Sequence, residues 1–187
     1  MTGQGSQKVT LQETISRYQQ LRRAAHQFAE EEFKHFGIQL RDINYSDAVK
    51  GDAWRSQWGD QQKVPSWSWT DMYNDYRSNA GAKRFDAALI VNGGLCGLCY
   101  GVPTKEKITL RIHGISRKPT NNPIAGNVFR IMIFAAIAYA RILKCKEIWI
   151  VQPMNAYLVS MYQKSGFTPC IDRSGITTHL TMVVNYD

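Results

Sequence analysis

What the sequence lacks narrows it first. No apolar run is long enough to cross a bilayer: the longest, IMIFAAIAYA from Ile131 to Ala140, falls well short of the roughly 20 residues a spanning helix needs, and Arg130 and Arg141 bracket it. No membrane partner is therefore expected. The N-terminus, MTGQGSQKVT, has no apolar core of the kind a secretory signal carries, so the chain is expected to be cytoplasmic, with reduced thiols. Repeats and low-complexity tracts are absent, which sets aside solenoids and arrays. Cysteine is scarce, with four residues, Cys96, Cys99, Cys145 and Cys170. Only the first two stand at a metal-like or redox-like spacing, and no second CxxC follows. They lie in LIVNGGLCGLCYG, which reads as two strands; residues three apart on a strand point to opposite faces, which opposes shared ligation. Buried thiols and no metal site are the expectation.

Acid is also in short supply, with 15 Asp and Glu against 23 Lys and Arg, a formal charge of +8 and an isoelectric point near 9.4. That balance points to a polyanion among the chain's partners: a nucleic acid, a nucleotide-like cofactor or an acidic protein. The basic residues are dispersed, the tightest groups being Arg22-Arg23, Lys105 to Lys107, Arg117-Lys118 and Lys144 to Lys146. This is the pattern of a solvated surface rather than of a basic tail.

What is present fits one domain. A chain of 187 residues with 44% hydrophobic content can bury a sizeable core, so residues 1–9 are read as a disordered leader and 10–187 as a single fold. Thr10 and Glu13 form a capping-box pattern, after which Leu11, Ile15, Tyr18, Leu21, Ala25 and Phe28 line one helical face until Gly37. From Gln39 to Pro65 the pattern weakens into a long excursion with short helical pieces. Trp69, Met72, Tyr73 and Tyr76 predict a second helix over Trp67 to Arg77; four of the five tryptophans fall between 54 and 69 and suit either a core or a cleft wall. Phe85 to Val91 and Leu95 to Val102 read as a hairpin turning at Asn92-Gly93-Gly94, and Ile108 to Ile115 continues the meander. A long helix follows on Val128, Ile131, Met132, Ala135, Ala138, Tyr139 and Ile142, and then a strand over Glu147 to Gln152. A crossover of that length makes the two strands parallel and adjacent or nearly so. A short helix and a final hairpin, with Thr177 to Val184 as its second strand, complete an α+β (α/β) order.

Two stretches carry chemistry. In PIAGNV, before the long helix, small residues let backbone approach a ligand and the first N–H groups of the helix can face an anion, with Arg117, Lys118 and Arg130 nearby. In NAYLVSMYQKSGF, Asn155 is followed by Tyr162 seven places on and by Gly166-Phe167. Together they resemble the GNAT superfamily of acetyl-CoA-dependent N-acyltransferases, whose last core helix follows this Asn, Tyr, Gly-Phe pattern. The resemblance covers roughly residues 84–187 and is strongest over 124–167.

What the resemblance implies is a mixed, mostly antiparallel central sheet with helices on both faces, and acetyl transfer from acetyl-CoA, as cosubstrate, to a primary amine. The pantetheine arm would pair with the strand at His113, Gly114, Ile115 and Ser116, with Asn155 on its other side. The pyrophosphate would lie on Ala125, Gly126, Asn127 and Val128. Tyr162 would be the general acid: its phenol, protonated at neutral pH, can protonate the departing thiolate. A backbone N–H near Ile115 would stabilise the oxyanion. The base is open among His113, Glu30 to Glu32, Asp71 and Asp86, with His113 nearest the strand end. The loop departs from the family pattern, since Gly126 matches its first Gly while Pro123, which has no N–H, and Val128 occupy the flanking places. The acceptor is an amine of a protein, a small molecule or an aminoacyl-tRNA, and a homodimer is compatible with the resemblance. A non-catalytic, nucleic-acid-binding module of the same fold is the alternative that the +8 charge keeps in view.

Overall fold

The computed structural model describes residues 10–57, 67–78 and 81–186, the side chains of residues 55 and 75–78 excepted. The expected leader, Trp58 and the Tyr76 side chain lie outside that set.

Helix α1, Leu11–Glu32, opens on the expected capping box, with the Thr10 hydroxyl accepting from the Glu13 N–H and the Glu13 carboxylate accepting in return. Its buried side differs from the periodicity reading. Tyr18, Arg22, Ala25, His26 and Ala29 point inward, whereas Leu11 and Phe28 are 75% and 57% exposed. The face is turned because Arg22 and His26 reach inward to a buried carboxylate cluster. Arg22 pairs with Asp42 through two nitrogens, donates to the carbonyls of Ala82 and Arg84, and lies 3.2 Å from Asp86. Asp86 also takes Arg84 Nε at 3.2 Å and the Ile43 N–H at 3.0 Å. His26 Nε2 donates to the Asp86 backbone carbonyl at 3.0 Å, which fixes its proton on that nitrogen. Burial holds the His26 imidazole down at about 4, and burial lifts the Asp86 carboxyl to about 6 against the pull of Arg84.

The region read as an excursion contains a strand. β1, Ile38–Arg41, leaves Gly37 in a left-handed turn (φ +61°) and forms one edge of the sheet, followed by α2, Tyr45–Ala53, capped by Asn44. α3, Trp69–Ser78, comes next. β2, Phe85–Val91, and β3, Gly94–Pro103, make the expected hairpin. Asn92 and Gly93 both have positive φ, 49° and 74°, the turn that matches strand twist. Then come β4, Thr109–Arg117; α4, Val128–Leu143; β5, Glu147–Val151; α5, Ala156–Lys164; β6, Thr168–Ile171; and β7, Thr177–Val183.

The sheet runs β1-β2-β3-β4-β5-β7-β6, antiparallel throughout except for β4 beside β5, which is parallel as the crossover required. α1 and α4 bury one face of it, and α2 and α3 cover the other over β2 and β3. α4 follows its predicted stripe apart from Ile142, which is 37% exposed. Among the described residues no helix is long and apolar enough to cross a membrane.

Two bulges alter side-chain phase. Between Leu89↔Gly97 and Ile90↔Leu95, Cys96 is the extra residue, so Cys96 and Cys99 both enter the core against α4, which corrects the expectation that they face apart. No third ligand joins them: among the described residues no group of three or more His, Cys, Asp or Glu could hold a metal. Burial pushes the Cys99 thiol far up, away from thiolate chemistry. The second bulge, between Tyr100↔Gly114 and Gly101↔Ile112, leaves His113 unmatched on β4.

Candidate active site

The two parallel strands part company. β4 pairs with β5 only from Thr109↔Glu147 to Ile112↔Ile150, yet β4 runs on to Arg117. Beyond Ile112 the bulge at His113 turns its backbone, and the stretch His113 to Arg117 has no β5 partner among the described residues. The result is a wedge whose one side is backbone, the arrangement an extended ligand needs if it is to pair like a strand.

Tyr162 stands on the α4 side of this wedge. Its ring lies 4.9 Å from Phe129 of the first turn of α4 and close enough to Cys99, the register partner of Ile115, for charge there to disfavour ionisation. It is 6% exposed, and burial raises its phenol far above the ordinary range, so it is protonated across all working pH. Among the described residues no hydrogen bond engages its hydroxyl. The rest of the motif holds the tyrosine in place. Asn155 Oδ1 accepts from the Leu158 N–H at 2.9 Å and starts α5, leaving its amide nitrogen able to donate to a ligand. Gly166, at φ +92°, ends the helix. The Phe167 N–H returns to the Tyr162 carbonyl (3.1 Å) and the Gly166 N–H to that of Gln163 (3.0 Å), a closure only a left-handed residue allows. Phe167 is thereby buried 6.5 Å from the Tyr162 ring.

At the mouth of the wedge, α4 begins without a cap. Asn127 makes no side-chain bond to the helix and its first turn has no acid, whereas α1, α2 and α5 start on Thr10, Asn44 and Asn155. The Ala125 N–H is spent on Asn122 O and the Asn127 N–H on Ile124 O, so two of the four residues expected to cradle a pyrophosphate have no donor to offer. The N–H groups of Gly126, Val128, Phe129 and Arg130 have no acceptor among the described residues and can face an anion, the last two lying beyond the expected stretch. The loop itself is fixed. Asn122 Nδ2 donates to Cys96 O at 2.8 Å, the Lys118 N–H donates to the same oxygen at 2.9 Å, and Ile124 is buried.

On the opposite face, Trp67 lies over the bulge; a Cβ at Gly114 would meet its ring at 2.8 Å. Trp69 Nε1 donates to Ser116 Oγ at 3.1 Å; Trp54 and Trp69 are core, whereas Trp67 is half-buried. A cavity of about 10 Å³, room for one water, lies next to Met72 and Trp69 and is lined by Tyr73, Tyr100, Arg84 and Asp86.

Among the base candidates, His113 is in the wedge, half-buried, and its imidazole is lowered by burial and by Arg111, which keeps it neutral and able to accept a proton. The glutamates are elsewhere. Glu30 accepts from the Leu40 N–H at 2.5 Å on β1, three strand spacings or roughly 14 Å from β4. Glu31 pairs with Lys34 and Glu32 is exposed at the end of α1. Asp71 is exposed in the first turn of α3, and Asp86 is committed to its arginines.

No family model and no curated protein matches this sequence. Solved structures do match. The ribosomal-protein-S18-alanine N-acetyltransferase of Escherichia coli is 13% identical, with 80% of this chain and 96% of that chain covered and a TM-score of 0.57. YncA of Salmonella typhimurium, with its cofactor acetyl-CoA, is 11% identical, covering 80% and 95% at 0.57. A GNAT-family acetyltransferase of Streptococcus pneumoniae is 15% identical, covering 79% and 99% at 0.53. The chain has the GNAT fold, and at these identities the likeness is one of fold.

Proposed function

We propose that the protein transfers an acetyl group from acetyl-CoA to a primary amine. The observation that carries this reading is the wedge between β4 and β5, with Tyr162 on one side and the uncapped start of α4 at its mouth. The residues present suit the cosubstrate. The backbone of Gly114, Ile115 and Ser116 would pair with the pantetheine arm, the Asn155 amide nitrogen would reach it from α5, and the N–H groups of Gly126 and Val128 to Arg130 would take the pyrophosphate. The acetyl structures named above support the assignment, since one is described with acetyl-CoA and another acts on an alanine amine.

The thioester supplies an activated acyl group; the chain supplies position and protons. Neutral His113 accepts the proton of the attacking amine, directly or through one water. A backbone N–H near Ile115 stabilises negative charge as it develops on the carbonyl oxygen. Tyr162, kept neutral by burial, gives its proton to the departing thiolate. Trp67 over Gly114 bounds the acceptor on the far face of the sheet. Thermal unfolding with and without acetyl-CoA tests the first step. At a hundred times its dissociation constant, the ligand adds about 2.7 kcal/mol, roughly 5–10 °C for a chain of this length. An unchanged midpoint at millimolar acetyl-CoA would sink the proposal.

A further inference from the structure

Phe28 is a large apolar ring left 57% exposed on α1. Single exposed apolar residues are ordinary, but this one is presented in a particular way. Its ring lies parallel to Phe134 of α4, at an interplanar angle of 8° and 5.7 Å between centroids, so one face is backed and the other open. Phe134 is itself braced edge-on by Phe33 at 5.4 Å. On α4, Arg130 and Phe134 are four residues apart and share a face, and the Arg130 guanidinium is held over Phe33, 5.4 Å from its centroid. The unspent N–H groups at Val128 to Arg130 precede Phe134 by roughly 6–9 Å along the helix. A diphosphate seated on them needs only a ribose to bring its base to the ring pair.

We infer that Phe28, backed by Phe134, is a stacking platform for the adenine of the CoA, with Arg130 on the path of its phosphates. This rests on the acetyl-CoA reading and adds to it a subsite supplied by the N-terminal helix. A purine has the flat π-face such a platform selects, and the helix start and guanidinium supply the charge that a diphosphate-linked base requires. Pantetheine alone gains nothing from it.

Calorimetric titration with CoA and with 4′-phosphopantetheine separates the parts. Phe28→Ala should weaken CoA binding about tenfold, the usual scale for losing one base stack, and leave 4′-phosphopantetheine unchanged; Phe28→Trp should restore CoA affinity. The exposed position makes the alanine variant safe for folding, since Phe134 retains Phe33. Equal CoA affinity for Phe28→Ala and the parent, or an equal loss for both ligands, overturns the platform alone. Failure of the parent protein to bind either ligand overturns the acetyl-CoA reading and the platform together.

Discussion

His26 and Asp86 are bonded neighbours whose titrations pull stability in opposite directions, and removing one should expose the other. The His26 ring is 3% exposed and its folded pKa, about 4, is below the unfolded value of 6.5. Its contribution is fully present above pH 6.5 and is lost as pH falls towards 4, because only the unfolded chain gains the proton. That lowering corresponds to about 3 kcal/mol. Asp86, 2% exposed, has a folded pKa of about 6 against 3.8 unfolded. Its contribution is present below pH 3.8 and is lost as pH rises through 6, again about 3 kcal/mol in all. Arg22 and Asp42 act on both groups, Arg84 acts on Asp86, and Tyr139 faces Asp86 from α4. In the parent protein the two slopes oppose each other between pH 4 and 6. His26→Gln keeps a donor for the Asp86 carbonyl and removes the titration. Urea unfolding of that variant should then show stability falling by about 2 kcal/mol from pH 4 to pH 6, whereas the parent falls less. Parallel profiles for parent and variant would show that burial does not govern His26.

Other changes have expected outcomes of different kinds. Tyr162→Phe keeps the ring contacts with Phe129 and Phe167 and removes a hydroxyl without a bonding partner among the described residues, so the melting temperature should hold or rise while thiol release with an amine panel falls about 100-fold or more; near-parent turnover would remove the tyrosine from the proton path. Lys144 ends α4 at φ +61°, a conformation that costs a side chain about 1 kcal/mol, and Lys144→Gly should raise the urea midpoint accordingly. A Cβ at Gly97 would lie 2.5 Å from Val128 Cγ1, so Gly97→Ala should force β3 and the start of α4 apart, costing about 1–3 kcal/mol and weakening CoA binding in the same titration.

The elements with a clean period were legible in the sequence: α4 from its three-and-four stripe, the β2–β3 hairpin from Asn92-Gly93, and the parallel pair from the length of the crossover. β1 was missed because IQLR offers only four residues, too few to show alternation beside a polar stretch. The face of α1 was misjudged because Arg22 and His26 are inward for electrostatic reasons that a hydrophobic pattern does not register. Cys96 and Cys99 share a side through a bulge, a property of pairing with β2 and not of either strand alone. At the site, Asn155, Tyr162 and Gly166 stand out in the sequence through the family resemblance, and Asn155 and Gly166 each do a local job at one end of a short helix. The parting of β4 from β5 could not be read there, since it depends on where two strands distant in sequence cease to bond.

The bulge at Cys96 has a consequence for kinetics. Its carbonyl, turned out of the ladder, takes two donors from the segment that leads into α4, so the uncapped helix start is tied to the β2–β3 hairpin. A site set in advance has little disorder to surrender on capture. Encounter should then proceed at a rate governed by diffusion and by the long-range pull of a chain carrying eight excess positive charges, falling as salt is added, with no slow ordering phase after contact.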